Sequence, residues 1–138
     1  MPEETVVLEN DISELEKLRK VLDGFGAKNN LSQNTVIEIN LVLEEAVVNI
    51  IYYAYENKKE RHKIVIGLEL ANEVVVLRVE DDGVPFNLLH SPEPQFDTTV
   101  KKMKIGGLGI HLIRKLADSV SYRRTGGKNI LTVQMRKQ

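Results

Sequence analysis

The chain has 138 residues, enough for one domain with a core of its own, and 42% of them are hydrophobic while 28% are charged. This ordinary globular balance argues against a disordered or fibrous chain, and the net charge of −1 lacks the basic surplus that is typical of nucleic-acid binders. The absence of cysteine excludes disulfides, thiol nucleophiles and cysteine-ligated zinc, and it is compatible with a reducing cytoplasm.

The first ten residues, MPEETVVLEN, have neither the basic start nor the apolar run of a signal peptide. No stretch of the chain reaches the ~18 consecutive apolar residues that a membrane-spanning helix needs. The sequence therefore predicts a cytoplasmic protein that has no membrane segment and does not bind nucleic acid directly.

Hydrophobic periodicity and turn residues predict the order β-α-α-β-β-loop-α-β-β. The predicted elements, in chain order, are a strand at Thr5–Leu8, a helix that follows a capping box at Asp11–Glu14, a helix from Ser32 to about Glu56, a hairpin of Lys63–Leu70 and Val74–Asp81, a long loop at Phe86–Lys104, a helix at Ile110–Val120, and a last hairpin of Val120–Arg124 and Ile130–Arg136. With no internal repeat, residues 1–138 are predicted to form a single domain. The order of elements favours an α+β sandwich, with helices on one face of a mixed, mostly antiparallel sheet.

The second predicted helix is apolar on most sides but carries one thin polar stripe. Glu38, Glu45 and Asn49 fall within roughly 40° of each other on the helix, whereas Glu44 falls elsewhere. The stripe is either the solvent face of the helix or one wall of a polar pocket, and the pattern alone leaves both possibilities open. In a pocket, a fixed carboxylate can act as a base, and an asparagine oxygen suits Mg²⁺.

A carboxylate stands at the end of the first hairpin. Asp81 shares its strand face with apolar residues such as Val79, so it points inward if that face is the core face, while Asp82 points outward. Asp82-Gly83 is then either a plain turn or the rim of a pocket. A buried carboxylate at such a rim can accept a hydrogen bond from an amino group such as that of adenine. Gly83 would let a flat base approach the backbone.

A run of glycines, Ile105–Ile110, opens directly into the third predicted helix. Free N–H groups at a helix start favour phosphate, and glycines let a ligand come close. The run is neither a Walker A motif nor a completed dinucleotide fingerprint. By itself it is therefore weak evidence for a phosphate site.

Taken in order, the motifs Glu45-x-x-x-Asn49, Asp81-x-Gly83-x-Pro85-Phe86 and Gly106-Gly107-Leu108-Gly109 resemble the N, G1 and G2 boxes of the GHKL ATPase superfamily. Within that superfamily the chain is most similar to the bacterial anti-sigma factor serine/threonine kinases, over essentially its whole length. The resemblance implies a histidine-kinase-like ATP-binding domain of the Bergerat type, with ATP and Mg²⁺ as cofactors.

The resemblance also implies a role for each matching residue. Glu45 matches the catalytic base, Asn49 the Mg²⁺ ligand, Asp81 the carboxylate that reads adenine, and Gly83 the glycine of the adenine pocket. The backbone that faces the phosphates matches a run of four residues, Gly106, Gly107, Leu108 and Gly109. The segment before it matches the ATP lid, whose basic residue is matched equally well by three lysines, Lys101, Lys102 and Lys104.

The function that the resemblance implies is phosphorylation of a serine or threonine on an anti-anti-sigma partner with a STAS domain. It further implies that the chain sequesters a sigma factor and forms a homodimer. Three alternatives stay open: a non-catalytic, ATP-dependent protein-binding switch, a stand-alone histidine-kinase-type catalytic domain, and a non-enzymatic structural domain that has no affinity for nucleotides. Against the second, the chain has its own amino-terminal strand and helix and lacks a dimerising hairpin with a phospho-accepting histidine.

Overall fold

A computed structural model of the chain describes residues 2–55, 60–90 and 109–138. Within these ranges the secondary structure follows the predicted order closely. The helices and strands are β1 (Glu4–Glu9), α1 (Leu15–Lys28), α2 (Gln33–Tyr53), β2 (Lys63–Ala71), β3 (Val74–Asp81), α3 (Gly109–Leu116), β4 (Ser119–Thr125) and β5 (Lys128–Arg136), with short 3₁₀ turns at Ile12–Glu14 and Leu88–His90.

The five described strands form one sheet in the order β1-β2-β3-β5-β4. Each of the four pairings is antiparallel, including the central pairing of β3 with β5. Apolar side chains on one face of the sheet and from the three described helices form the buried core, while the alternate strand residues stay more exposed. The predicted α+β fold of two layers is therefore confirmed.

Local signals explain where α2 begins. The side chain of Ser32 accepts a hydrogen bond from the backbone N–H of Thr35 at 3.1 Å, which satisfies one of the free donors at the helix start. The predicted cap is thus confirmed. The helix ends at Tyr53, about one turn before the predicted end at Glu56.

The third helix is shorter than predicted. It ends at Leu116, and Val120, which was predicted to be its last residue, lies in β4 opposite Val133. The reason is that the backbone N–H of Asp118 donates to the carbonyl of Gln134 in β5, at 2.8 Å. The backbone thus pairs with the sheet, and no longer with the helix, two residues before the predicted helix end at Val120. Apolar spacing alone does not detect this exchange.

The last hairpin turns tightly. Gly126 and Gly127 have φ values of 58° and 73°, which suits a two-residue turn that needs left-handed backbone at both positions. Thr125 and Lys128 pair on either side of the turn, so β5 begins at Lys128 and brings Asn129 opposite Asp81. This register decides which side chains of β5 reach the site described next.

Candidate active site

The residues of the polar stripe of α2 lie in two different environments. At its amino-terminal end, the carboxylate of Glu38 accepts from the Gln138 side chain at 3.2 and 3.3 Å, and the Gln138 backbone N–H donates to Thr35 at 3.0 Å. These contacts hold the carboxy-terminal residues against the start of α2. Glu38 therefore belongs to a structural contact and not to a site shared with Glu45 and Asn49.

Farther along α2, Asn49 is buried, with 1% of its surface exposed. Its amide nitrogen donates to the backbone carbonyl of Glu45, one turn earlier, at 2.6 Å between Nδ2 and O. That bond uses one of the two N–H groups of the amide, and Oδ1 has no donor among the described residues. A buried amide oxygen held in this way is suited to a hard cation such as Mg²⁺.

The Glu45 side chain is half-buried on the same side of the helix. Burial raises the pKa of its carboxyl above the ordinary value, and the neighbouring charge of Glu44 raises it further. Glu44 itself is directed elsewhere, because its carboxylate pairs with Arg19 of α1 at 3.2 Å. The two adjacent glutamates are therefore not equivalent, because Glu44 is held in an ion pair while Glu45 has a half-buried carboxyl with a raised pKa.

Asp81 ends β3 and points inward, as its strand phase predicts, with 3% of its surface exposed. One carboxylate oxygen, Oδ1, accepts from the backbone N–H of Gly83 and from the side-chain amide of Asn129, both at 2.9 Å. Burial raises the pKa of Asp81, although these two hydrogen bonds and the charge of Arg124 oppose the rise. The second oxygen, Oδ2, receives no hydrogen bond from the described residues.

A narrow pocket joins α2 to this end of the sheet. It is lined by Ala46, Ile50, Val79, Asp81, Phe86, Leu88, Tyr122, Asn129 and Leu131. Glu45 and Asn49 do not line this pocket, although the α2 residues that follow each of them, Ala46 and Ile50, do. The fold thus brings Asp81 against α2, beside the turns that carry Glu45 and Asn49. The cavity measures about 10 Å³, room for about one water, so a purine fits only if a lining side chain moves.

Gly83 lies where β3 leads into the pocket rim. A Cβ at this position would collide with the carbonyl oxygen of Ala54 at the end of α2, and it would lie 2.8 Å from the Ala54 carbonyl carbon. The next residue, Val84, donates its N–H to the same carbonyl at 2.7 Å. The fold thus requires a glycine here so that the end of α2 can pack closely against the backbone. The sequence alone did not predict this reason for the glycine. Contact of Gly83 with a base stays a prediction.

The glycine run is covered only in part. Gly106, Gly107 and Leu108 lie outside the described residues, as do Lys101, Lys102 and Lys104 of the predicted lid. Gly109 is the first residue of α3. The helix then sends Ile110 and Ile113 into the core, and Arg114 donates a hydrogen bond to the carbonyl of Leu89 after β3.

Two site residues escaped the sequence analysis. The first is Asn129, predicted as part of the last turn, which is buried in β5 and donates a hydrogen bond to Asp81. The second is Tyr122 of β4, whose hydroxyl donates to Oδ1 of Asn129. The signal was available in the alternation of β5, because Asn129 has the same strand phase as the core residues Leu131 and Val133. An amide at a core position requires polar partners.

A wider concavity of about 380 Å³ lies on the opposite face of the sheet. Gly67 and Pro2 line it, together with Arg78 and Glu80, which pair with each other at 3.8 Å. It contains none of the residues predicted to act in chemistry. The narrow pocket, and not this broader surface, is therefore the candidate active site.

Two features are absent from the described residues, and they concern metal ions and membranes. No three acidic or histidine side chains there come together in a way that could hold a metal ion. A cation at Asn49 would thus depend on oxygens from a nucleotide and water, which is how Mg²⁺ is usually held in phosphoryl-transfer sites. None of the described helices has both the length and the apolar composition required to cross a membrane.

Comparison with known proteins gives consistent matches. Residues 8–136 match the model of the histidine kinase-like ATPase domain. The chain is 30% identical to an anti-sigma F factor of Bacillus licheniformis over 104 residues, covering 75% of this chain and 70% of that one. It is 27% identical to the serine-protein kinase RsbW of Oceanobacillus iheyensis over 122 residues, covering 82% and 73% of the two chains.

Solved structures show the same fold. The RsbU and RsbW domains of a Mycobacterium tuberculosis protein superpose with a TM-score of 0.68 at 16% identity, covering 99% of this chain and 33% of that one. This chain thus spans about a third of that protein's resolved length. In the SiaB–SiaC complex from Pseudomonas aeruginosa, the match has a TM-score of 0.56 at 14% identity, covering 94% and 88% of the two chains. With the family model matched over nearly its whole length, the chain belongs to the histidine kinase-like ATPase domain family.

Proposed function

We propose that the chain is an ATP- and Mg²⁺-dependent protein kinase of the anti-sigma type. Its substrate would be a serine or threonine hydroxyl on an anti-anti-sigma partner with a STAS domain, and a sigma factor would be a second partner that it sequesters. The names of its relatives, anti-sigma F factor and serine-protein kinase RsbW, support this reading.

The observation that carries the proposal is the pocket between α2 and the end of β3. Asp81 lines it with an oxygen left without a donor among the described residues, next to the α2 residues that follow Glu45 and Asn49. A carboxylate that can read a base, an oxygen that can hold Mg²⁺ and a half-buried carboxylate that can accept a proton are groups that phosphoryl transfer from ATP uses, and α2 and the end of β3 carry one or more of them each.

In this proposal Asp81 accepts a hydrogen bond from the amino group of adenine, and Gly83 lies beside the base. The run Gly106–Gly109 surrounds the phosphates. Asn49 would hold Mg²⁺, which neutralises charge on the phosphates when it is bound. Glu45 takes the proton from the substrate hydroxyl as that oxygen attacks the γ-phosphorus and ADP leaves.

Transfer of ³²P from [γ-³²P]ATP to a STAS-domain partner tests the proposal. Glu45→Gln keeps the shape of the side chain but loses its basicity, so ATP binding should persist while the transfer rate falls by about 10²–10⁴-fold. Glu44→Gln is the matched control, since Glu44 pairs with Arg19, and it should retain most of the rate.

Two outcomes would contradict the kinase proposal, and a third would contradict the assignment of its base. ATP binding without any transfer by the unmodified protein would favour the non-catalytic switch. An acid-labile phosphoprotein, in place of an acid-stable phosphoserine or phosphothreonine, would favour histidine-kinase chemistry. If Glu44→Gln were the inactive variant, the assignment of Glu45 as the base would be wrong.

A further inference from the structure

A buried amide faces the carboxylate that is proposed to read the base. Asn129 of β5 is the direct cross-strand neighbour of Asp81 in β3, and each side chain has 3% of its surface exposed. On the same face of β5, Leu131 and Val133 belong to the apolar core. An amide in this position would destabilise the fold unless its hydrogen-bonding groups were satisfied.

All four hydrogen-bonding positions of the Asn129 amide are used. Its nitrogen donates to Asp81 Oδ1 at 2.9 Å and to the Val84 carbonyl at 2.8 Å. Its oxygen accepts from the Phe86 backbone N–H at 3.1 Å and from the Tyr122 hydroxyl. Two donors and two acceptors are the full capacity of an amide, so Asn129 has none left for a ligand and can act only through its neighbours.

The hydrogen bonds around Asn129 make the two carboxylate oxygens of Asp81 unequal. Oδ1 receives two donors, from Asn129 and from the backbone of Gly83, so its hydrogen bonds are formed within the protein. Oδ2 has no donor among the described residues, and Asp81 lines the pocket. The donors from Asn129 and Gly83 together hold one oxygen of the carboxylate, and the other oxygen remains for a ligand.

We propose, resting on the function proposed above, that Asn129 is a positioning residue that orients Asp81 and thereby sets the preference of the site for a purine with a 6-amino group. A 6-amino group donates a hydrogen bond to the remaining oxygen of Asp81. A 6-oxo group, as in inosine triphosphate, presents an acceptor to the same oxygen and is repelled. The preference depends on Asp81 being ionised and held in this orientation.

Two variants of Asn129 separate this role from a purely structural one. Asn129→Leu removes one of the two donors to Oδ1 and leaves only the backbone N–H of Gly83. Held by one hydrogen bond in place of two, Asp81 can turn about that bond and should lose its discrimination between the two purines. Asn129→Asp keeps the shape but places a second carboxylate against Asp81, so the pair must share a proton to restore the contact. The other titratable groups that act on Asp81 are Asp82, Arg124 and Tyr55, which both variants leave in place.

The experiment compares the dissociation constants of ATP and inosine triphosphate by calorimetry on the full chain, at pH 6 and pH 9. We expect the unmodified protein to prefer ATP by at least tenfold, and both variants to reduce this ratio to within about threefold. In Asn129→Asp, ATP should also bind more weakly at pH 9 than at pH 6. The affinity of the unmodified protein for ATP should not fall as the pH rises. Gln134→Leu, at an exposed position of the same strand, is the control and should keep the ratio.

The outcomes distinguish the two proposals. If the unmodified protein binds ATP and both Asn129 variants keep its tenfold preference, the role of Asn129 is wrong while the nucleotide site stands. If the unmodified protein binds neither nucleotide, the proposed function fails, and this inference fails with it. Should Asn129→Leu not fold, the isosteric Asn129→Asp variant, by its ratio and its pH profile, decides the matter alone.

Discussion

The side-chain amide of Asn49 donates to the backbone carbonyl of Glu45, with 2.6 Å between Nδ2 and O. This bond fixes the amide plane through one N–H group and leaves the amide oxygen for a ligand. The acceptor is the main chain of Glu45, so the bond fixes the Asn49 amide on the turn that carries Glu45 and leaves the Glu45 carboxylate for another role.

Replacement of Asn49 by alanine should weaken Mg²⁺-dependent binding of ATP. Because the variant removes the oxygen proposed to hold the cation, we expect the dissociation constant of ATP to rise tenfold or more, which corresponds to about 1.4 kcal/mol. Calorimetry with Mg²⁺ and with EDTA measures the effect. In EDTA the variant and the unmodified protein should differ little, so an equal loss in both buffers would show that Asn49 acts by packing.

Asp81→Asn should abolish the preference for ATP. The variant replaces an ionised acceptor by a neutral amide, and hydrogen bonds to charged groups contribute about 1.5–3 kcal/mol, so ATP affinity should fall by about tenfold to 150-fold. Asp82→Asn, at an exposed neighbouring position, is the matched control and should retain most of the affinity. Equal affinities of Asp81→Asn and the unmodified protein would remove Asp81 from the site.

The same variant should stabilise the protein in the absence of nucleotide. Burial raises the pKa of Asp81, so the folded state holds this proton more tightly than the unfolded state does. The contribution of the group to the free energy of unfolding therefore falls as the pH rises from the unfolded pKa through the raised folded pKa. Because asparagine does not ionise, Asp81→Asn should have the higher free energy of unfolding at pH 7, and the difference should shrink towards pH 4.

Urea denaturation over that pH range checks the prediction. A difference between Asp81→Asn and the unmodified protein that grows as the pH falls would contradict the assigned direction of the pKa shift. Such a result would mean that the hydrogen bonds from Gly83 and Asn129 outweigh the effect of burial.

Two glycine-to-alanine substitutions should shift stability in opposite directions. Gly83→Ala places a methyl group against the carbonyl of Ala54, and overpacking of this kind typically destabilises by about 1–3 kcal/mol. Gly24→Ala, in the middle of α1, meets no atom within 4 Å and should stabilise by about 0.5–1 kcal/mol, because alanine loses less backbone entropy in a helix. Thermal unfolding of the two variants beside the unmodified protein measures both effects.

Gly83→Ala also tests why that glycine is present. If the variant is as stable as the unmodified protein but binds ATP poorly, the glycine serves the base, as the sequence predicted. If it loses stability, the contact with the end of α2 requires the glycine independently of any ligand.

Much of this protein follows from the sequence itself, because its strongest signals are local. Hydrophobic spacing and the Ser32 cap determine α2, and the two-residue alternation that includes Val79 places Asp81 inward. The Gly126-Gly127 pair determines the last hairpin, since both positions have positive φ. These features depend on residues close together in the chain. The motifs that resemble the family are short stretches of the same kind.

Other features were decided only by the tertiary structure, because they depend on pairings between distant segments. Nothing local in the sequence shows that Asn129 lies opposite Asp81, which needs the register of β3 with β5. Likewise, the end of α3 at Leu116 results from competition with β5. Within the polar stripe of α2, Glu38 is bonded by Gln138, which lies 100 residues away in the chain, whereas Glu45 does not take part in that contact. Burial and partners of this kind are properties of the packed chain, and they determine which polar residues of a helix or strand can act in chemistry.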